Sequence, residues 1–181
     1  MSTPILQPEL VALPLWAQVL LASRLVQRAA LAMLPDTPTS ARPRLLAACD
    51  AIERCASRGG DLRRERGPLR GARDWQPTVM FHSLSIALQQ VVAAAEAAEA
   101  AYDISSAEPA FHRAIENSMS AILRAGVFDE RVARQALNED VHALNRLCSE
   151  FGVGRYDPIP SGFLPSLPVT SSLAMRASAR H

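Results

Sequence analysis

Residues 78–148 decide the fold: TVMFHSLSIALQQVVAAAEAAEAAYDISSAEPAFHRAIENSMSAILRAGVFDERVARQALNEDVHALNRLC. The run is helix-forming throughout and is broken only at Ser105–Pro109 and Gly126–Asp129. Its first part predicts a helix over 78–104. Pro77 stands just before it, and Thr78 can cap it through a side-chain oxygen. Phe81, Leu84, Leu88, Val91 or Val92, Ala95, Ala98 and Tyr102 trace one face. Seven of the eleven residues from Val91 to Ala101 are alanine. Alanine has the highest helix propensity, and its small side chain lets a neighbouring backbone come close. A helix over 109–125 follows, with Ser106 as cap, Pro109 in the first turn and a stripe of Phe111, Ile115, Met119 and Ile122. A helix over 129–150 is capped by Asp129. It repeats Ala133, Leu137, Val141, Leu144 and Cys148, with Phe151 closing the seam and Gly152 and Gly154 stopping it.

Two more helices precede this block. Residues 14–34 open on Pro14, whose missing N–H costs little in a first turn. Trp16, Val19, Leu20, Val26, Ala30, Met33 and Leu34 share a broad face, with Ser23 as its polar exception. Leu21 and Leu25 lie on the far side, which calls for cover on more than one flank. Arg24 and Arg28 are four apart and predict a narrow wet stripe. Such interruptions argue against a membrane span, which needs about 20 predominantly apolar residues; attachment to a membrane surface is the alternative. Residues 42–58 form the second helix, with Leu45, Cys49, Ile52 and Ala56 inward and Asp50, Arg54 and Arg58 outward. Gly59 and Gly60 end it.

The expected architecture is therefore all-α: an antiparallel helical bundle of about five helices, with 78–150 at its centre and 14–58 alongside. Residues 1–170 are read as one domain. Its proline-rich C-terminal arm carries Pro158, Pro160, Pro165 and Pro168, and 171–181 form a loose tail. The first 12 residues read as a leader.

Composition narrows the function classes. In 181 residues the formal net charge is +1, so no global field draws the chain to nucleic acid or anionic lipid. All 19 basic residues are arginine. The usage is what a GC-rich coding sequence gives. It excludes a lysine nucleophile, a Schiff base and a Walker-type phosphate lysine. Cys49, Cys55 and Cys148 are odd in number and lack CxxC spacing, which predicts buried free thiols in a reducing, cytoplasmic setting.

Three places are able to carry chemistry. Glu139 and His142 have the i,i+3 spacing of di-iron and di-manganese bundles, and His112 and Glu116 share a face of the preceding helix. Together they are the candidate ligands for iron, manganese or zinc, with Glu96 and Glu99 as further carboxylates. Such a site normally uses two ExxH pairs where this chain has one. The wheel also turns Glu139 and His142 away from Ala133, Leu137 and Leu144, so the expectation is no cofactor. The second place is Asp61–Pro77, read as an arginine-rich loop with room for a turn of helix. There Arg63, Arg64, Arg66, Arg70 and Arg73, with Trp75, form a partner-binding surface for a protein; alternatively the Arg58–Arg73 segment takes RNA or phosphate. The interspersed Asp61, Glu65 and Asp74 weigh against nucleic acid. The third is GVGRYDPIP, residues 152–160. It is not a dinucleotide fingerprint, and Arg155, Tyr156, Ile159 and, beyond it, Phe163 supply a docking segment.

The resulting expectation is a non-enzymatic helical protein–protein interaction protein: an adaptor, an accessory subunit or an inhibitor of immunity type. Its partner is another protein or a second copy of itself. A metal-dependent bundle is the enzymatic alternative.

Overall fold

The computed structural model describes residues 10, 12–32, 41–74, 82–100, 109, 111–117, 119–120 and 130–161. In chain order the elements are α1 (Leu15–Ala32), α2 (Ala41–Arg58), a 3-10 turn (Leu62–Glu65), α3 (Arg66–Arg73), α4 (His82–Ala100), α5 (helical over 111–117) and α6 (Glu130–Glu150). No strand occurs among the described residues. No helix there is long and apolar enough to cross a membrane. The cap Thr78, Phe81 and Tyr102, Trp75, the turn at Gly126–Asp129, Phe163 and the segment 171–181 lie outside the described residues.

The centre of the bundle is α1. Every residue from Leu13 to Gln27 is buried, and Trp16, Leu21 and Leu25 are among the largest side chains wholly removed from water. Burying a side chain of that size contributes about 1.5–3 kcal/mol. Helix α1 packs most extensively on α2 and α4 and also meets α6. Its direction follows from the contacts at its ends. Gly60, beyond the end of α2, lies beside Trp16 at the start of α1 and Glu99 at the end of α4. Arg155, beyond α6, accepts a hydrogen bond at its carbonyl from the N–H of Leu15 at 2.9 Å. The first helix thus runs against α2, α4 and α6 in turn.

This arrangement differs from the expected centre at 78–150. The alanine-rich face of α4 does pack closely, with Ala87, Ala94 and Ala95 fully buried. What it packs against is the bulky, nearly all-apolar α1. Alanines line the groove; the leucines and tryptophan of α1 fill it.

The buried amides and the hydroxyl of α1 find partners inside this core, as such groups must. Gln18 Nε2 donates to the Leu13 carbonyl at 2.9 Å, and Ser23 Oγ donates to the Cys49 carbonyl at 3.4 Å. The expected wet stripe is dry at Arg24, which is 7% exposed and lies 3.7 Å from Glu53 of α2. Gln27 Nε2 donates to the same carboxylate at 3.3 Å. Arg28 pairs with Asp140 of α6, with one Nη–Oδ distance of 2.9 Å. This four-residue charge cluster braces three helices. Burial lowers the Arg24 pKa, opposed by the charges of Glu53 and Asp140. Burial also pushes the Glu53 carboxyl up, opposed by Arg24.

Two helix ends are closed by the same device. Gly59 and Gly152 adopt positive φ, of 73° and 61°. The next residues donate back five positions, Gly60 N–H to the Cys55 carbonyl at 2.9 Å and Val153 N–H to the Cys148 carbonyl at 2.8 Å. After α6 the chain turns on Asp157, whose Oδ2 accepts the Gly154 N–H at 2.7 Å. Ile159 N–H then donates to the Ala56 carbonyl at 2.9 Å. Through residue 161 the segment lies across the chain's own α1 and α2.

Candidate functional site

Residues 62–73 of the arginine-rich segment are helical, well beyond the single turn expected. Three successive positive φ values, at Gly59, Gly60 and Asp61, reverse the chain after α2. The N–H groups of Asp61 and Leu62 then donate to Glu99 Oε1 of α4, at 2.6 and 3.1 Å. A carboxylate at the start of a helical turn meets unsatisfied backbone donors, so Glu99 fixes where that turn begins. Helix α3 forms despite Gly67, Pro68 and Gly71. Pro68 sits in the first turn, where its missing N–H leaves no bond unmade. Gly67 takes the helical conformation that a proline disfavours in a bulkier predecessor. Burial of Leu62, Leu69 and Ala72 holds the segment on the body.

Underneath lies Glu65, 7% exposed. Its two oxygens accept from Arg54 Nε at 3.1 Å and Nη2 at 2.7 Å, and from Arg58 Nη2 at 2.9 Å. Arg54 first, and Arg58 after it, hold this carboxyl down at about 2, against the opposing effect of desolvation.

Above Leu62 and Leu69 the segment forms one wall of an open groove of about 550 Å³. Arg63, Arg66, Arg70 and Arg73 line that wall, and Glu96 and Glu99 line the facing one on α4. Arg73 is paired with Glu96 across the groove, and Arg70 with Asp74 on its own helix at 3.3 Å. Arg64 pairs with Asp61 at 2.5 Å. Arg63 and Arg66 are exposed and hold no ion pair among the described residues. The groove therefore offers two available guanidiniums above an apolar floor.

The other sequence candidates are placed as follows. Arg155 and Tyr156 are exposed, but Ile159 is 1% exposed and sits in the core against α2. Phe151, expected to close the α6 seam, is instead 63% exposed. Glu116, Glu139 and His142 are exposed, and Glu139 accepts a hydrogen bond from Gln135 at 2.9 Å. His112 is half-buried beside the Phe111 ring. Among the described residues no three His, Cys, Asp or Glu side chains are grouped so as to hold a metal ion. All three cysteines are free and buried, and burial pushes the Cys49 thiol up to about 12. Such a thiol is almost wholly protonated at neutral pH and a poor nucleophile.

Glu96 and Glu99, read from the sequence as further carboxylates for the metal candidate, line the arginine groove instead. Nothing in their spacing says that they face the arginines. Comparison with protein-family models, with curated proteins and with solved structures gives no match.

Proposed function

We propose that this chain is a non-catalytic helical interaction protein whose α3–α4 groove takes an acidic segment of a partner protein. One observation carries the reading: Arg63 and Arg66 stand exposed without an ion pair among the described residues, while Arg64, Arg70 and Arg73 beside them are matched. Guanidinium forks bind carboxylates bidentately, and the floor of Leu62 and Leu69 accepts an apolar neighbour. The apolar floor favours a peptide, which can alternate acidic and apolar side chains, over a phosphodiester backbone, which carries a charge at every nucleotide. The net charge of +1 supplies no compensating long-range attraction for nucleic acid.

The test is fluorescence anisotropy with three labelled probes. These are a short peptide of alternating acidic and leucine residues, its lysine counterpart, and a single-stranded RNA oligonucleotide. The acidic peptide is expected to bind, to weaken with added salt, and to lose affinity in Arg63→Ala/Arg66→Ala. Binding of the oligonucleotide alone would replace this reading with an RNA-binding one.

A further inference from the structure

Arg63, Arg66, Arg70 and Arg73 recur at steps of three, four and three residues, which puts them in one row along the helical segment. At 1.5 Å per residue the row is roughly 15 Å long. Its last member is held differently from the rest. Arg70 is matched by Asp74 on its own helix, with both side chains largely in water. Arg73 reaches across the groove to Glu96, and the two side chains are 54% and 45% exposed. That pair closes one end of the groove at the level where a ligand's acidic group would follow those on Arg63 and Arg66.

Glu96 and Glu99 are not equivalent. Glu99 is tied to two backbone N–H groups and defines the start of the 3-10 turn. Among the described residues the Glu96 carboxylate pairs with the Arg73 guanidinium, and both partners are half in water. A half-exposed ion pair holds weakly, since solvent screens it and ordering two long side chains opposes it. An incoming carboxylate exchanges with it at little net cost.

Resting on the groove reading above, we infer that Glu96 occupies the position of a partner carboxylate: it latches Arg73 in the free protein and is displaced when an acidic segment lies along the arginine row. Glu96 is then an internal competitor that sets affinity. The ligand class is a run of carboxylates spaced to meet successive guanidiniums.

The experiment titrates the acidic peptide into wild type, Glu96→Gln and Arg73→Gln/Glu96→Gln. Glu96→Gln is expected to bind about two- to fivefold tighter, the range a released surface ion pair allows, and the double variant to lose that gain. Binding seen only in Glu96→Gln also supports the latch. Unchanged or weaker binding in Glu96→Gln, where wild type binds, overturns the latch and leaves the groove reading standing. No binding by any of the proteins overturns both. A second readout needs no variant: the Arg73 side-chain Nε–H resonance of wild type is expected to shift on peptide saturation, and an unmoved resonance in bound protein overturns the exchange.

Discussion

The two arginine clusters of this protein use the same pairing in opposite ways. Between α1, α2 and α6, the cations are inside: Arg24 is buried, Arg28 is largely so, and Glu53 and Asp140 come to meet them. Under α3, the anion is inside: Glu65 is buried, while Arg54 and much of the row above it face water. A buried guanidinium is spent on holding helices together. A buried carboxylate with outer arginines builds a platform and leaves further cations free to act on something else. On the proposed reading, the difference separates arginines that brace helices from those available to a partner, in a chain where all 19 basic residues are of one kind.

The largest test of that contrast is Asp140→Ala. It strands Arg28 between helices, and unfolding in urea is expected to show a loss of about 3 kcal/mol, the low end for a broken buried pair because both side chains keep some water. Replacing both partners with apolar residues, Arg28→Met/Asp140→Leu, should recover most of it. A loss under about 1 kcal/mol for the single change would erase the distinction between the clusters.

Glu65→Gln comes next, with an expected loss of about 2 kcal/mol from weakened charge-assisted hydrogen bonds. Its pH dependence has a definite sign. The folded carboxyl sits at about 2 against an ordinary 4.5, so its contribution is complete above the ordinary value and disappears as pH falls toward 2. Acid titration of stability should therefore bring wild type and Glu65→Gln together over that window. Glu53 is shifted upward, so the sign reverses: its contribution is present at low pH and lost as pH rises through its folded pKa. Relative to wild type, Glu53→Gln should gain stability as pH rises through that range.

Two smaller effects sharpen the picture of α3. Gly71→Ala adds a Cβ into open space and should stabilise by up to about 1 kcal/mol in thermal melts. Arg63→Ala and Arg66→Ala should each leave stability within about 0.5 kcal/mol, because neither holds an ion pair among the described residues. Stability that stays put while peptide affinity falls is the signature of residues kept for binding.

Much of the architecture was readable from periodicity. The helices near 14–34, 42–58, 78–104 and 129–150 correspond to α1, α2, α4 and α6, because each carries an apolar stripe of helical period between clear stops. Two features were not. Arg24 and Arg28 read as a wet stripe because local spacing cannot show that Glu53 and Asp140 wait across the core. Residues 66–73 read as loop with at most a turn of helix because Gly67, Pro68 and Gly71 lower local propensity, whereas burial of Leu69 and Ala72 and the clamp on Glu65 decide the outcome. The site shared that limit. Its arginines were visible as a run, but their facing wall on α4 is a tertiary fact.

The placement of α1 has a consequence for how the chain reaches its native state. Its first long helix is apolar nearly all round; α2 follows it directly, but α4 and α6, which complete its cover, come later in the chain, and the clasp between Arg155 and Leu15 comes later still. Contacts of such long sequence separation slow folding, since distant segments must meet before burial rewards them. During synthesis α1 leaves the ribosome well before that cover is complete, exposing the surface that invites aggregation. A chain stopped ahead of Glu130 should accordingly accumulate with chaperones or in inclusion bodies.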